Sequence, residues 1–77
     1  MRFIDRFGNE YRSDTKVGLL YELYKSSWNF VYCVDIDEWI AKAATRIWEQ
    51  FDIRIEYKTY EEFVDELITN EIIKEIN

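Results

Sequence analysis

Two capping boxes fix where helices must begin in this chain: Asp35-Ile36-Asp37-Glu38 and Thr59-Tyr60-Glu61-Glu62. In each, a short oxygen-bearing side chain stands three residues before a glutamate, so orphan amide groups at a helix start can be satisfied reciprocally. Val34 stands in place to staple onto Trp39. Behind the first box, Ile36, Ile40, Ala43, Ala44, Ile47 and Phe51 form an apolar stripe, while Glu38, Lys42, Thr45, Arg46 and Glu49 take the opposite side. Behind the second, Tyr60, Phe63, Val64, Leu67 and Ile68 repeat at helical spacing. Asn70 is a suitable C-terminal stop.

The remaining segments have a different period. Arg2 to Arg12 reads as a β-hairpin turning at Gly8-Asn9, a glycine-first pair suited to a II′ turn; this register sets Asp5 opposite Arg12. Ser13 or Asp14 then caps a helix whose face carries Val17, Leu20, Leu23, Tyr24 and Trp28, widened by Leu19 and Tyr21. Gly18 falls on its polar side, where it costs about 1 kcal/mol against alanine unless something packs close. Asn29 to Val34 is a short aromatic and β-branched run that fits a buried strand better than a helix, a helix starting near Trp28 being the alternative. Asp52 to Lys58 alternates, with Ile53, Ile55 and Tyr57 opposed to Arg54, Glu56 and Lys58, which predicts a half-buried strand. Ile72 to Ile76 is read as a closing strand, although Ile68, Ile72 and Ile76 also keep helical spacing. The predicted architecture is α+β, a small single domain over 1–77, with an N-terminal β-hairpin followed by three helices alternating with short strands.

Seventy-seven residues suffice for one core and not two. At 48% hydrophobic and 18% aromatic, the chain has the apolar bulk to offset the entropy of folding. No apolar run approaches the roughly 18 residues of a membrane span, and the first residues lack the apolar stretch of a signal peptide. Cys33 is a lone thiol in an apolar run, read as an inert core residue. A cytoplasmic, reducing location is the expectation. The absence of proline beside many Ile, Lys, Glu, Asn and Tyr residues fits an AT-rich coding sequence, as in a low-GC bacterium, a phage or another mobile element.

Catalysis is not expected. There is no histidine to serve as a base near neutral pH, and two glycines are too few for a phosphate-binding loop, so no cofactor is assigned. Asp35 and Asp37 with Glu38 could be taken for hard-cation ligands, but capping and helix-dipole roles account for them, and no metal site is assigned.

Charge points to binding instead. The net charge is −6, distributed unevenly: residues 1–34 hold five basic and four acidic side chains, residues 35–77 five basic against twelve acidic. Direct binding to nucleic acid or an anionic membrane would need a basic footprint, so the complement is a protein with a basic surface. Glu61, Glu62, Asp65 and Glu66 fall within an arc of about 140° opposite the core stripe, with i,i+4 members about 6 Å apart along the axis, near the spacing of phosphates on one nucleic-acid strand. Like charges so placed cost a helix a few tenths of a kcal/mol each. Asp37 is a candidate extension of this face. Trp39 and Trp48 lie about 180° apart on their helix, so both cannot sit at the centre of one core; either each folds its ring over the core edge or one of them is an exposed anchor, which one being left open, and Trp48 is the candidate partner-binding residue. The function expected is that of a small acidic inhibitor, a nucleic-acid mimic of anti-restriction or anti-CRISPR type. An immunity protein or antitoxin blocking a basic toxin, and a structural self-assembling module, are the alternatives.

Overall fold

A computed structural model of the chain describes residues 1–26, 28 and 35–76. The run Asn29 to Val34, with Cys33 and the Val34 staple, lies outside the described residues. The elements are β1 (Arg2–Asp5), β2 (Glu10–Arg12), α1 (Lys16–Lys25), α2 (Ile36–Phe51), α3 (Tyr60–Thr69) and β3 (Ile73–Ile76). β1 lies between β2 and β3, antiparallel to both. The fold is a mixed α+β domain in which α1 and α3 pack together and against the sheet.

The hairpin differs from its predicted register. Arg2 pairs with Arg12, Phe3 with Tyr11 and Ile4 with Glu10, so Asp5 does not face Arg12 and the connection is the longer Arg6–Asn9. The cause is the Asp5 carboxylate. Its Oδ1 accepts the amides of Phe7 at 2.8 Å and Asn9 at 2.9 Å, while the Asp5 amide donates to the Asn9 carbonyl at 3.0 Å. Such a side-chain-to-backbone turn competes with a tight II′ turn and here prevails. Gly8 keeps the expected positive φ, at +87°.

α1 starts one residue later than expected. Thr15, not Ser13 or Asp14, is the N-cap, and its Oγ1 accepts the Gly18 amide at 2.9 Å. Ser13 supports the cap, accepting from the Thr15 amide and donating to the Thr15 carbonyl. A Cβ on Gly18 would stand 2.5 Å from Ser13 Oγ, so this close approach is why glycine occupies the position. Leu19, Leu20 and Leu23 are buried, whereas Tyr21, expected to widen the apolar face, is 40% exposed. Trp28 is buried but lies beyond the C-cap, Ser26, and does not continue the helix.

Both capping boxes start helices where the sequence places them: Asp35 accepts the Glu38 amide at 2.8 Å and Thr59 accepts the Glu62 amide at 3.1 Å. The two tryptophans of α2 separate, and they do not both fold over the core edge. Trp39 is fully buried, with the rings of Tyr24, Trp28 and Phe63 each 6.3 Å away, and Trp48 is 50% exposed. Among the described residues Trp39 Nε1 finds no acceptor, a cost the surrounding aromatic packing must outweigh.

No strand forms over 52–58. The predicted alternation survives as burial, with Ile55 buried, Ile53 and Tyr57 half-buried, and Arg54, Glu56 and Lys58 exposed. β1 is paired on both sides by β2 and β3, and the segment joins neither of those edge strands. The segment instead covers helices, and Tyr57 meets Phe63 edge-on at 5.2 Å. The closing strand is confirmed as β3, set off from α3 by a Schellman-type end in which Ile72 donates to the Leu67 carbonyl and Glu71 to that of Ile68. Asn70 is the cap, and Glu71 takes the left-handed conformation, φ 58°, that glycine usually fills.

Asp5 holds more than its turn. At 6% exposure, its Oδ2 also accepts from Asn9 Nδ2 at 3.2 Å, Tyr11 Oη at 3.0 Å and Trp28 Nε1 at 3.0 Å. Burial alone would raise its pKa, but the bonds from Asn9, Tyr11 and Phe7 outweigh this and hold it below the ordinary 3.8. A lowered carboxylate pKa contributes stability above the unfolded value, and that contribution is lost as the pH falls through the folded one. Asp5→Ala, which strands several donors, is expected to cost about 3 kcal/mol or more. The stability gap between wild type and Asp5→Asn should stay constant above about pH 5 and narrow in more acidic solution, as read by urea titration at each pH. Glu71→Gly, which relieves a left-handed side chain, should stabilise by about 1 kcal/mol, raising the melting temperature by about 4–8 °C in a thermal scan.

Candidate partner-binding surface

The Thr59 cap and the buried row Phe63, Val64 and Leu67 fix the rotation of α3, which turns Glu61, Glu62, Asp65 and Glu66 away from the core. Glu61 and Glu62 are exposed, and Asp65 and Glu66 half-buried. The face is less uniformly anionic than the helix alone implies, because α1 brings Lys16 into an ion pair with Asp65. Glu62 is also engaged. Its Oε1 accepts the Lys58 amide at 3.2 Å, so the reciprocal bond reaches one residue past the cap.

Asp37 reaches this helix from α2. The Tyr60 hydroxyl, at the first residue of α3, donates to Asp37 Oδ1 at 2.6 Å, tying together the starts of the two helices. That bond, with lesser contributions from desolvation and nearby charge, raises the Tyr60 pKa to about 12. Tyr57 is raised as well, by burial first and then by the Asp37 charge. The carboxylates of the first capping box do not converge on a metal: Asp35 caps, Asp37 accepts from Tyr60, and Glu38 pairs with Lys42 at 3.1 Å. Among the described residues, no three metal-ligating side chains gather.

Trp48 lies on the same side of α2 as Asp37, since eleven residues return to within about 20° on the wheel and rise about 16 Å. It does not touch the acidic row. The Arg54 guanidinium sits 5.9 Å from its ring centroid, within cation–π range, and Ala44, Thr45 and Ile55 complete a shallow groove beside them. Lys16, Tyr60 and Arg54 were not foreseen as participants. Their contacts span segments distant in the sequence, and no local periodicity encodes them. Among the described residues, no helix is long and apolar enough to cross a membrane.

The Tyr60–Asp37 bond can be checked by ultraviolet titration of the tyrosines. Asp37→Asn should move the Tyr60 transition from about 12 back towards the ordinary 10. Because the folded value is raised, the bond contributes fully below the unfolded pKa and is lost as the pH rises through the folded one, so wild type and variant should converge in stability only in strongly alkaline solution. Compared with known proteins, the chain matches no protein-family model, no curated protein and no solved structure.

Proposed function

We propose that this chain is a small acidic binding protein, an inhibitor that lays α3 against the basic nucleic-acid-binding surface of a partner enzyme. The observation that carries this reading is the outward row Glu61, Glu62, Asp65 and Glu66, extended at its N-terminal end by Asp37, which Tyr60 fastens to the helix. A helix presents charges at fixed intervals, so such a row offers a basic groove carboxylates spaced about as phosphates are, without the cost of ordering a flexible chain. Helix stability does not account for the row by itself. Glu61 and Glu62 complement the dipole of the first turn, but Asp65 and Glu66 lie beyond it and stand at i,i+4 from like charges. Trp48 flanks this surface on α2 as an anchoring contact. The protein acts in this reading by binding and not by catalysis, in the reducing compartment of a cell invaded by the mobile element that encodes it, with restriction and RNA-guided nucleases as the expected target class.

The test is capture of partners from a lysate of the source organism by wild type and by a variant with Glu61, Glu62, Asp65 and Glu66 all changed to Lys. Circular dichroism should first verify that both are folded. A basic nucleic-acid enzyme retained by wild type alone, released by competing duplex DNA and weakened about tenfold or more by moderate salt, is the expected result. Retention indifferent to both salt and charge reversal would overturn the reading.

A further inference from the structure

The groove beside Trp48 has a chemistry opposite to that of α3. Its walls are the half-exposed Trp48 ring and the Arg54 side chain, and Ala44 and Ile55 give it a small apolar floor. Its volume of about 390 Å³ holds one or two side chains. Among the described residues, the Arg54 guanidinium forms no ion pair or hydrogen bond, and its only contact of note is the Trp48 ring. A guanidinium offers five donors in a fork that matches a carboxylate, and the ring contact holds that fork at the rim of an apolar floor. Large exposed rings are otherwise uncommon here. Only Met1, Phe7 and Tyr21 join Trp48 as exposed large hydrophobic side chains among the described residues, and none of the three lines this groove.

We propose that this groove binds an apolar side chain standing next to a carboxylate in a partner protein, the side chain stacking on Trp48 over Ala44 and Ile55 and the carboxylate pairing with Arg54. Charge complementarity selects this occupant. A bare hydrophobe would leave the guanidinium desolvated and unpaired, a cost the matching carboxylate removes. A nucleic-acid strand could in principle stack a base on Trp48, but each further phosphate would approach a chain of net charge −6. A single carboxylate meets the Arg54 guanidinium without that repulsion. This inference deepens the reading of Trp48 as a flanking contact and rests on it only to that extent, because a small-molecule probe reports on the groove whether or not a basic enzyme binds α3.

The experiment is a nuclear magnetic resonance titration of the intact chain with N-acetyl-phenylalanine, following the Trp48 indole N–H, assigned by its loss in Trp48→Phe. N-acetyl-phenylalaninamide, which lacks the carboxylate, is the matched control. The expected result is a saturable shift with the acid, about tenfold weaker with the amide, and equal weak responses to both in Arg54→Gln. Both substitutions fall on exposed side chains, so the dispersed spectrum of a folded protein should persist. Three results would overturn the proposal: no saturable shift, equal responses to acid and amide in wild type, or an oligothymidylate that saturates the same resonance at lower concentration than the acid.

Discussion

A buried carboxylate needs every lone pair occupied, and Asp5 obtains this by collecting donors from three parts of the chain. It takes the amides of its own turn, the Tyr11 hydroxyl across the hairpin and the Trp28 indole beyond α1. The turn, the pairing of β1 with β2 and the position of Trp28 therefore share one acceptor. Trp28 in turn meets Trp39, so the network passes directly into the aromatic centre of the core. Arg6 continues the linkage from the next residue. Its guanidinium donates to the carbonyls of Asn70 and Glu71 at the end of α3 and lies 4.6 Å from the centroid of Phe51 at the end of α2. The hairpin tip is thereby joined to both helices at their C-terminal ends, where unpaired carbonyls favour a cation.

The opposite ends of the same helices are joined by different means. There, Tyr60 and Asp37 meet, and the pair stands among exposed side chains instead of in the core. Its consequence is positional. By fixing α2 against the start of α3, it brings an acidic residue of one helix to the first residue of the other. The two helices thus present different surfaces from one scaffold, an anionic one along α3 and an aromatic and cationic one near the C-terminal end of α2. Segment 52–58, which lies outside the sheet, passes beside α2 and supplies Arg54 to the second surface.

Two helices end on acidic residues in the left-handed conformation, Asp52 after α2 and Glu71 after α3. The helix dipole favours neither carboxylate there, and the left-handed conformation costs Glu71 more than Asp52, since aspartate adopts it more readily. At Glu71 the compensation is visible: Ile72 and Ile73, the residues that follow, are fully buried, and β3 completes the sheet. Tertiary burial outweighs a backbone penalty of about 1–2 kcal/mol. No comparable compensation is apparent at Asp52 beyond its amide bond to the Trp48 carbonyl.

What the sequence determined was local. The two capping boxes set the starts of α2 and α3, because an N-cap bond closes within three residues and needs nothing from elsewhere. Helical spacing identified the buried faces, and the opposition of Trp39 and Trp48 on one wheel meant that they could not both sit at the centre of the core, leaving open whether both lie at its edge or one is exposed. Only the tertiary structure decided which. It also decided the hairpin register, since the reach of Asp5 to Tyr11 and Trp28 is not written in any alternating pattern. The period-two segment at 52–58 shows the same division: alternation encodes which side is buried, whereas pairing depends on where packing lays the segment, here against helices. The acidic row of α3 was legible as a helix face, whereas Lys16, Asp37 and Arg54 came to their places through contacts between distant segments, which packing sets and periodicity does not.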